Sequence, residues 1–157
     1  MAPMKTKTSL LTLALCFATG TFCFAGPEMG TWKLNEAKSK FAPGTGKNTM
    51  VVYKDAMGGK VKITTHGVDA HGKATHGEWT GKFDGKDYAV TGDPNADVRW
   101  YRKVNDRTLD FGGKKGGKAG ITGRVTVAAD GRSRTVTTSG TNAKGKKFKN
   151  VAVFDKQ

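Results

Sequence analysis

Cysteine is nearly absent from this 157-residue chain: there are two, Cys16 and Cys23, and both stand within the first 25 residues. From residue 26 onward the sequence therefore has no disulfide, no thiolate zinc site, no iron–sulfur cluster and no thiol nucleophile. Its stability must come from its core and its backbone pairing. Proline is scarce, at 4, and the 22 glycines follow no G-x-y period, which excludes a collagen. Beyond the first 25 residues no apolar run approaches the roughly 20 residues of a membrane helix. Acid is in short supply: 13 Asp and Glu face 27 Lys and Arg, a net charge of +14.

What the first 25 residues hold is an export signal. Lys5 and Lys7 form a short positive region, and Leu10 to Ala18 is an apolar stretch too short to span a bilayer. Cys23-Phe24-Ala25 places small residues three and one before a cut, so the expected mature chain starts at Gly26. Phe22 before Cys23 and Leu15 before Cys16 are too large for a lipoprotein anchor. The expectation is a signal peptide over 1–25 and one domain over 26–157, delivered to the periplasm or secreted. That domain keeps 25 basic and 13 acidic side chains, a net +12.

The rest reads as short strands. From residue 49 the apolar positions alternate, and the separators are Gly, Asp and Asn. The predicted strands are 31–34, 49–54, 60–65, 73–83, 86–90, 98–104, 108–111, 121–127, 134–138 and 148–154. Turn signals stand between them, among them Gly58-Gly59, Asp84-Gly85, Asn105-Asp106, Gly116-Gly117 and Asp130-Gly131. Connections this short pair neighbours antiparallel in sequence order. A long meander leaves two unpaired edges, and closure into an up-and-down barrel removes them. The fold class expected is all-β: an antiparallel up-and-down barrel of about 8–10 strands in a single domain. A two-sheet sandwich competes, but it needs longer crossovers.

One segment echoes another. Thr64 to Lys73 and Thr137 to Lys146 share the pattern T-T-x-G-x-[DN]-A-x-G-K. The echo predicts one turn geometry used twice.

Gly30-Thr31-Trp32 opens the first strand in the manner of lipocalins, whose G-x-W tryptophan plugs the closed end of the barrel. The longer string through Asn35, Lys38 to Phe41, Gly67 to Ala70 and Phe83 to Lys86 resembles a group of small secreted bacterial lipocalin-like (calycin-type) proteins. The resemblance covers most of the chain after residue 25. It implies a lipocalin-like β-barrel and export, and little about activity, since that group is largely uncharacterised.

Four sets of residues are candidates for chemistry. The first is a ligand cavity. Trp79 and Phe83 share one face of their strand, as do Val98, Trp100, Arg102 and Val104 on theirs. With these faces turned inward, Trp79, Phe83 and Trp100 would line a pocket. Arg102 would hold the carboxylate or carbonyl of a lipophilic ligand, or else pair with an acid at the rim. The second is a histidine cluster: His66, Asp69, His71 and His76 are of the types that ligate zinc. In a hydrolase reading Asp69, His71 and His76 would be catalytic, activating water against an ester or lactone carbonyl such as an acyl-lactone. The competing reading is a set of solvated turn histidines.

The third is Asp93, Asn95 and Asp97, which match the opening of a calcium loop but lack its glycine and its closing glutamate. The fourth is charge: Lys114, Lys115 and Lys118 share one glycine-rich turn, and Lys144, Lys146, Lys147 and Lys149 another. Such charge attracts anionic surface polymers or lipid, and solvated edge lysines are the plainer account.

No G-x-S-x-G, P-loop or dinucleotide fingerprint is present, and Ser39, Ser133 and Ser139 have no sequence-adjacent histidine. The expected function is binding of a small lipophilic molecule in a barrel cavity. A metal-dependent hydrolase and a cationic surface binder are the alternatives. No cofactor is required, zinc or calcium being a candidate. The expected partners exclude nucleic acid, no transmembrane span is expected, and the chain is expected to be a monomer.

Overall fold

The computed structural model describes residues 26–142 and 144–157. The predicted signal segment and both cysteines lie outside the described residues. Ten strands form a closed antiparallel barrel: β1 (Gly30–Lys40), β2 (Lys47–Ala56), β3 (Lys60–Val68), β4 (Ala74–Gly81), β5 (Tyr88–Thr91), β6 (Val98–Asn105), β7 (Thr108–Lys115), β8 (Lys118–Val127), β9 (Ser133–Thr141) and β10 (Lys147–Lys156). Each strand pairs with its sequence neighbours, and β1 closes on β10 from Trp32↔Lys156 to Asn35↔Val153. The predicted barrel is the observed one, at the upper end of the expected strand count.

All ten segments form because β-branched and aromatic residues alternate with polar ones, so each ribbon has one apolar face to bury. The turns are set by backbone chemistry. In the β3–β4 turn Asp69 Oδ1 accepts the amides of His71 (2.8 Å) and Lys73 (3.0 Å). In the β9–β10 turn Asn142 Oδ1 accepts those of Lys144 and Lys146, both at 3.0 Å. Gly72 and Gly145 take the left-handed positions, at φ 80° and 75°. The sequence echo is thus one turn built twice. The weakest part of the wall is β5, only four residues long, which pairs over two rungs on each side.

The inward rows fill the barrel. Trp32, Val51, Tyr53, Ile63, Trp79, Tyr101, Leu109, Phe111, Val125, Val127, Ala152 and Phe154 form one buried cluster. Each large apolar side chain so buried contributes about 1.5–3 kcal/mol.

One end is sealed. Trp32 is fully buried there, and its indole N–H donates to the Glu28 carbonyl at 2.8 Å. Beside it Arg134, 2% exposed, places its guanidinium carbon 4.9 Å from the ring centres of Trp32, Tyr53 and Phe154. Its Nε and Nη1 have no hydrogen-bond partner. The three π-faces stabilise the charge in place of water.

Candidate functional site at the open end of the barrel

The lumen wall is aromatic through its middle. Trp79 projects inward, its N–H donating to the Arg99 carbonyl at 3.0 Å. Its ring lies 4.7 Å from Tyr101, 5.7 Å from Tyr88 and 6.2 Å from Phe83. Trp79 and Phe83 therefore stand inside, as their alternation predicts.

The face of β6 is the reverse of the expectation. Its inward residues are Arg99 and Tyr101, while Trp100 and Arg102 belong to the outer row. Trp100 lies over Gly112, the residue opposite it on β7. The Arg102 side chain is 62% exposed and reaches Asp110 at 3.3 Å. Neither can line a cavity with Trp79.

The reason is a partner in the loop that precedes the strand. Arg99 enters the lumen because Asp93, from the β5–β6 connection, meets it there: Nε to Oδ2 is 2.6 Å, and Nη2 bonds the same oxygen. A paired guanidinium is tolerable in a low-dielectric space where a lone one is not. Strand-level alternation cannot see such a pairing. Tyr101 shares this interior. Burial, with Tyr53 adding to it, pushes its phenol far above the ordinary value of 10.0.

The centre of the barrel is occupied by these side chains, and space opens instead at the end opposite Trp32. Ile121 on β8, Gly140 on β9 and Phe148 on β10 stand directly opposite one another. They continue the inward rows of Val125, Val136 and Ala152. Gly140 is held close by its neighbours: a Cβ there would meet the Gly120 carbonyl oxygen at 2.5 Å, Ile121 Cγ2 at 3.0 Å and Phe148 Cε1 at 3.2 Å. Beside this row lies a hollow of about 470 Å³, whose lining also takes Thr122, Ser139 and Lys147. That volume falls in the range of small-molecule sites.

Near the hollow, the strands that line it carry charge of one sign. No acidic residue occurs between Asp110 and Asp130, or between Asp130 and Asp155. Those three lie toward the sealed end, so the open half of β8, β9 and β10 has no carboxylate of its own. Lys114 and Lys115 are paired, with Asp87 at 2.6 Å and Asp97 at 2.9 Å. Lys118, Lys144, Lys146, Lys147 and Lys149 are exposed and make no ion pair among the described residues.

The metal candidates fare differently from one another. His66 and His76 meet across β3 and β4 on the outer face, Nδ1 to Nδ1 3.3 Å. Asp69 and His71 do not join them: the Asp69 carboxylate is spent on its own turn, where the His71 and Lys73 amides hold its pKa below the ordinary value. Asp93, Asn95 and Asp97 do not converge either. Asp93 turns to Arg99, and Asp97 accepts the Gly116 amide at 2.8 Å and pairs with Lys115. Among the described residues no three His, Cys, Asp or Glu side chains are grouped to hold a metal.

No protein-family profile matches this chain, and no curated protein does. Among solved structures it is similar to EF1p2_mFAP2b, determined bound to DFHBI (11% identity, TM-score 0.46, 83% of this chain and 94% of that one). It is similar also to mFAP1, a redesigned β-barrel bound to DFHBI (15% identity, TM-score 0.43, 83% and 95%). The likeness is one of fold.

Sequence reasoning missed Arg99, Arg134 and the Ile121–Gly140–Phe148 row. Arg134 had a signal, since it alternates with Val136 on an otherwise apolar face. Arg99 had none without Asp93.

Proposed function

We propose that this protein is an exported lipocalin-like barrel that binds a small lipophilic anion at its open end. The apolar part lies on Ile121, Gly140 and Phe148, and the charged end faces Lys147 and its neighbours. The observation that carries this reading is the coincidence of a hollow that touches Ile121, Gly140 and Phe148 of the inward rows with a stretch of wall that has lysines and hydroxyls but no carboxylate. An anion gains there from several unpaired ammonium groups at once, and burying its chain removes apolar surface from water at about 25 cal/mol per Å². The two similar solved barrels bind a small molecule, which accords with this reading without carrying it.

No observation favours the hydrolase, because Asp69 faces backbone amides and gives no imidazole an orienting partner. Anionic polymers would use the same lysines without the apolar floor. The test is a displacement assay with the fluorescent anion 1-anilinonaphthalene-8-sulfonate. Dodecanoate is expected to displace it, dodecyltrimethylammonium and dextran sulfate to fail. Equal displacement by the cation would refute the site, and displacement by dextran sulfate alone would make the surface the ligand-binding element.

A further inference from the structure

The outer face of β2, β3 and β4 carries a second constellation that the lumen does not use. Met50 stands opposite His66, and His66 opposite His76, so the three form one row across three adjacent strands. Directly opposed residues point to the same face with Cβ atoms about 4.5–5.5 Å apart. Met50 is 36% exposed, unusual for a large apolar side chain in this molecule.

The imidazoles hold a telling separation. Two nitrogens each about 2.0–2.1 Å from a tetrahedral ion stand about 3.3 Å apart. His66 Nδ1 and His76 Nδ1 are 3.3 Å apart. On the far side of the His76 ring, Nε2 lies 3.5 Å from Glu78 Oε1. A carboxylate there favours the proton on Nε2 and leaves the Nδ1 lone pair free to ligate. Lys62 pairs with the same Glu78 oxygen at 3.0 Å. The strand register also shifts beside Met50, between Asn48 and Met50, an irregularity of the kind that re-aims side chains.

Folding does not explain the pair. In the echoed hairpin the same two positions are Ser139 and Lys149, opposite each other on an identically built turn. A thioether with two imidazoles is a soft set: it suits copper over magnesium or calcium, and Cu(II) outranks zinc on the imidazoles. Against it stand the positive charges of Lys33, beyond Met50 in the row, and of Lys62, which Glu78 offsets.

We propose that Met50, His66 and His76 form a surface copper site, which holds Cu(I) through all three side chains and Cu(II) through the two imidazoles. This site is independent of the open-end hollow, and either can fail without the other. The test uses the full chain with Cys16→Ser and Cys23→Ser, so that no thiol competes. Cu(II) is followed by electron paramagnetic resonance, and Cu(I) anaerobically by competition with bathocuproine.

One copper per chain is expected, with nitrogen hyperfine structure for Cu(II). His66→Ala and His76→Ala should each lower affinity for both states at least about tenfold. Met50→Leu should lower Cu(I) affinity by about tenfold and leave Cu(II) within about threefold. His71→Ala, in the neighbouring turn, should change neither. Circular dichroism of each variant checks that the barrel is intact. Unaltered binding in the His66→Ala/His76→Ala double variant, or an equal loss in His71→Ala, would overturn the site. Unchanged Cu(I) affinity in Met50→Leu would remove the thioether and with it the preference for copper.

Discussion

The two ends of the barrel are built from different chemistry. At the sealed end Trp32, Tyr53, Phe154 and Arg134 are buried together, and the guanidinium lies against three aromatic faces. At the open end Ile121, Gly140 and Phe148 line a hollow together with Thr122, Ser139 and Lys147. The strands run continuously between these ends, so the difference lies in the side chains and not in the topology. A meander closed on itself can place its stability at one end and leave the other free to vary. With no cysteine after residue 25, the sealed end does what a covalent staple does in small disulfide-bonded domains.

That contrast can be broken most forcefully at Trp32. Trp32→Ala removes the largest fully buried side chain and leaves Arg134 facing a void, and a loss of about 3–5 kcal/mol is expected in urea unfolding. A loss below about 1 kcal/mol would mean that the seal carries little.

Next in size is Asp93→Asn, which leaves Arg99 charged in the lumen with a neutral partner. Breaking a largely buried pair in this way should cost about 3 kcal/mol, while the double replacement Asp93→Asn/Arg99→Met should recover most of it. Failure of the double variant to recover would show that the pair does more than neutralise itself.

The third prediction concerns alkali. The Tyr101 phenol is raised in the folded protein, so its protonated form is favoured by folding. That contribution is complete below the ordinary phenol value and is lost as pH rises above it. Unfolding should therefore set in above about pH 10, and Tyr101→Phe should shift the onset upward. The opposite sign holds for Asp110, whose pKa is lowered by the Arg124 hydrogen bond and by Arg102. Its contribution is present above the ordinary carboxylate value and falls as pH drops through the lowered one, an acid limb that salt should weaken.

The smallest stability change is expected at the open end. Phe148→Ala should cost about 1 kcal/mol or less, since the residue is only partly buried, yet reduce amphiphile affinity about tenfold. The reverse pattern, a large stability loss with binding intact, would exchange the roles assigned to the two ends.

The sequence resolves much of this architecture and little of the site. All ten strands were legible because alternation and turn residues are local signals, and the Asp69 and Asn142 turns could be matched by eye. Strand ends were less so: β1 was read as 31–34 and runs to Lys40, through a register irregularity between Asn35 and Lys40 that breaks the period. On β6, Val98, Trp100, Arg102 and Val104 are the more apolar set, so a local reading turns them inward. Asp93 overrides that choice by neutralising Arg99, and no alternation rule contains it. The open-end row was hidden for the same reason. Ile121, Gly140 and Phe148 are brought together only by the registers of three strands, and a glycine among them leaves no hydrophobic signal. His66 and His76 were named as ligand types, but their meeting, apart from Asp69 and His71, depends on the β3–β4 register.

The division of labour between the ends is tested most directly by titrating dodecanoate into isotope-labelled protein and following its amide and indole resonances. Shifts are predicted at residues 119–122, 139–141 and 147–149, with the Trp32 indole N–H unmoved. Shifts centred on Trp79 and Tyr101, or on the Trp32 indole, would contradict the account and return the ligand to the middle of the barrel.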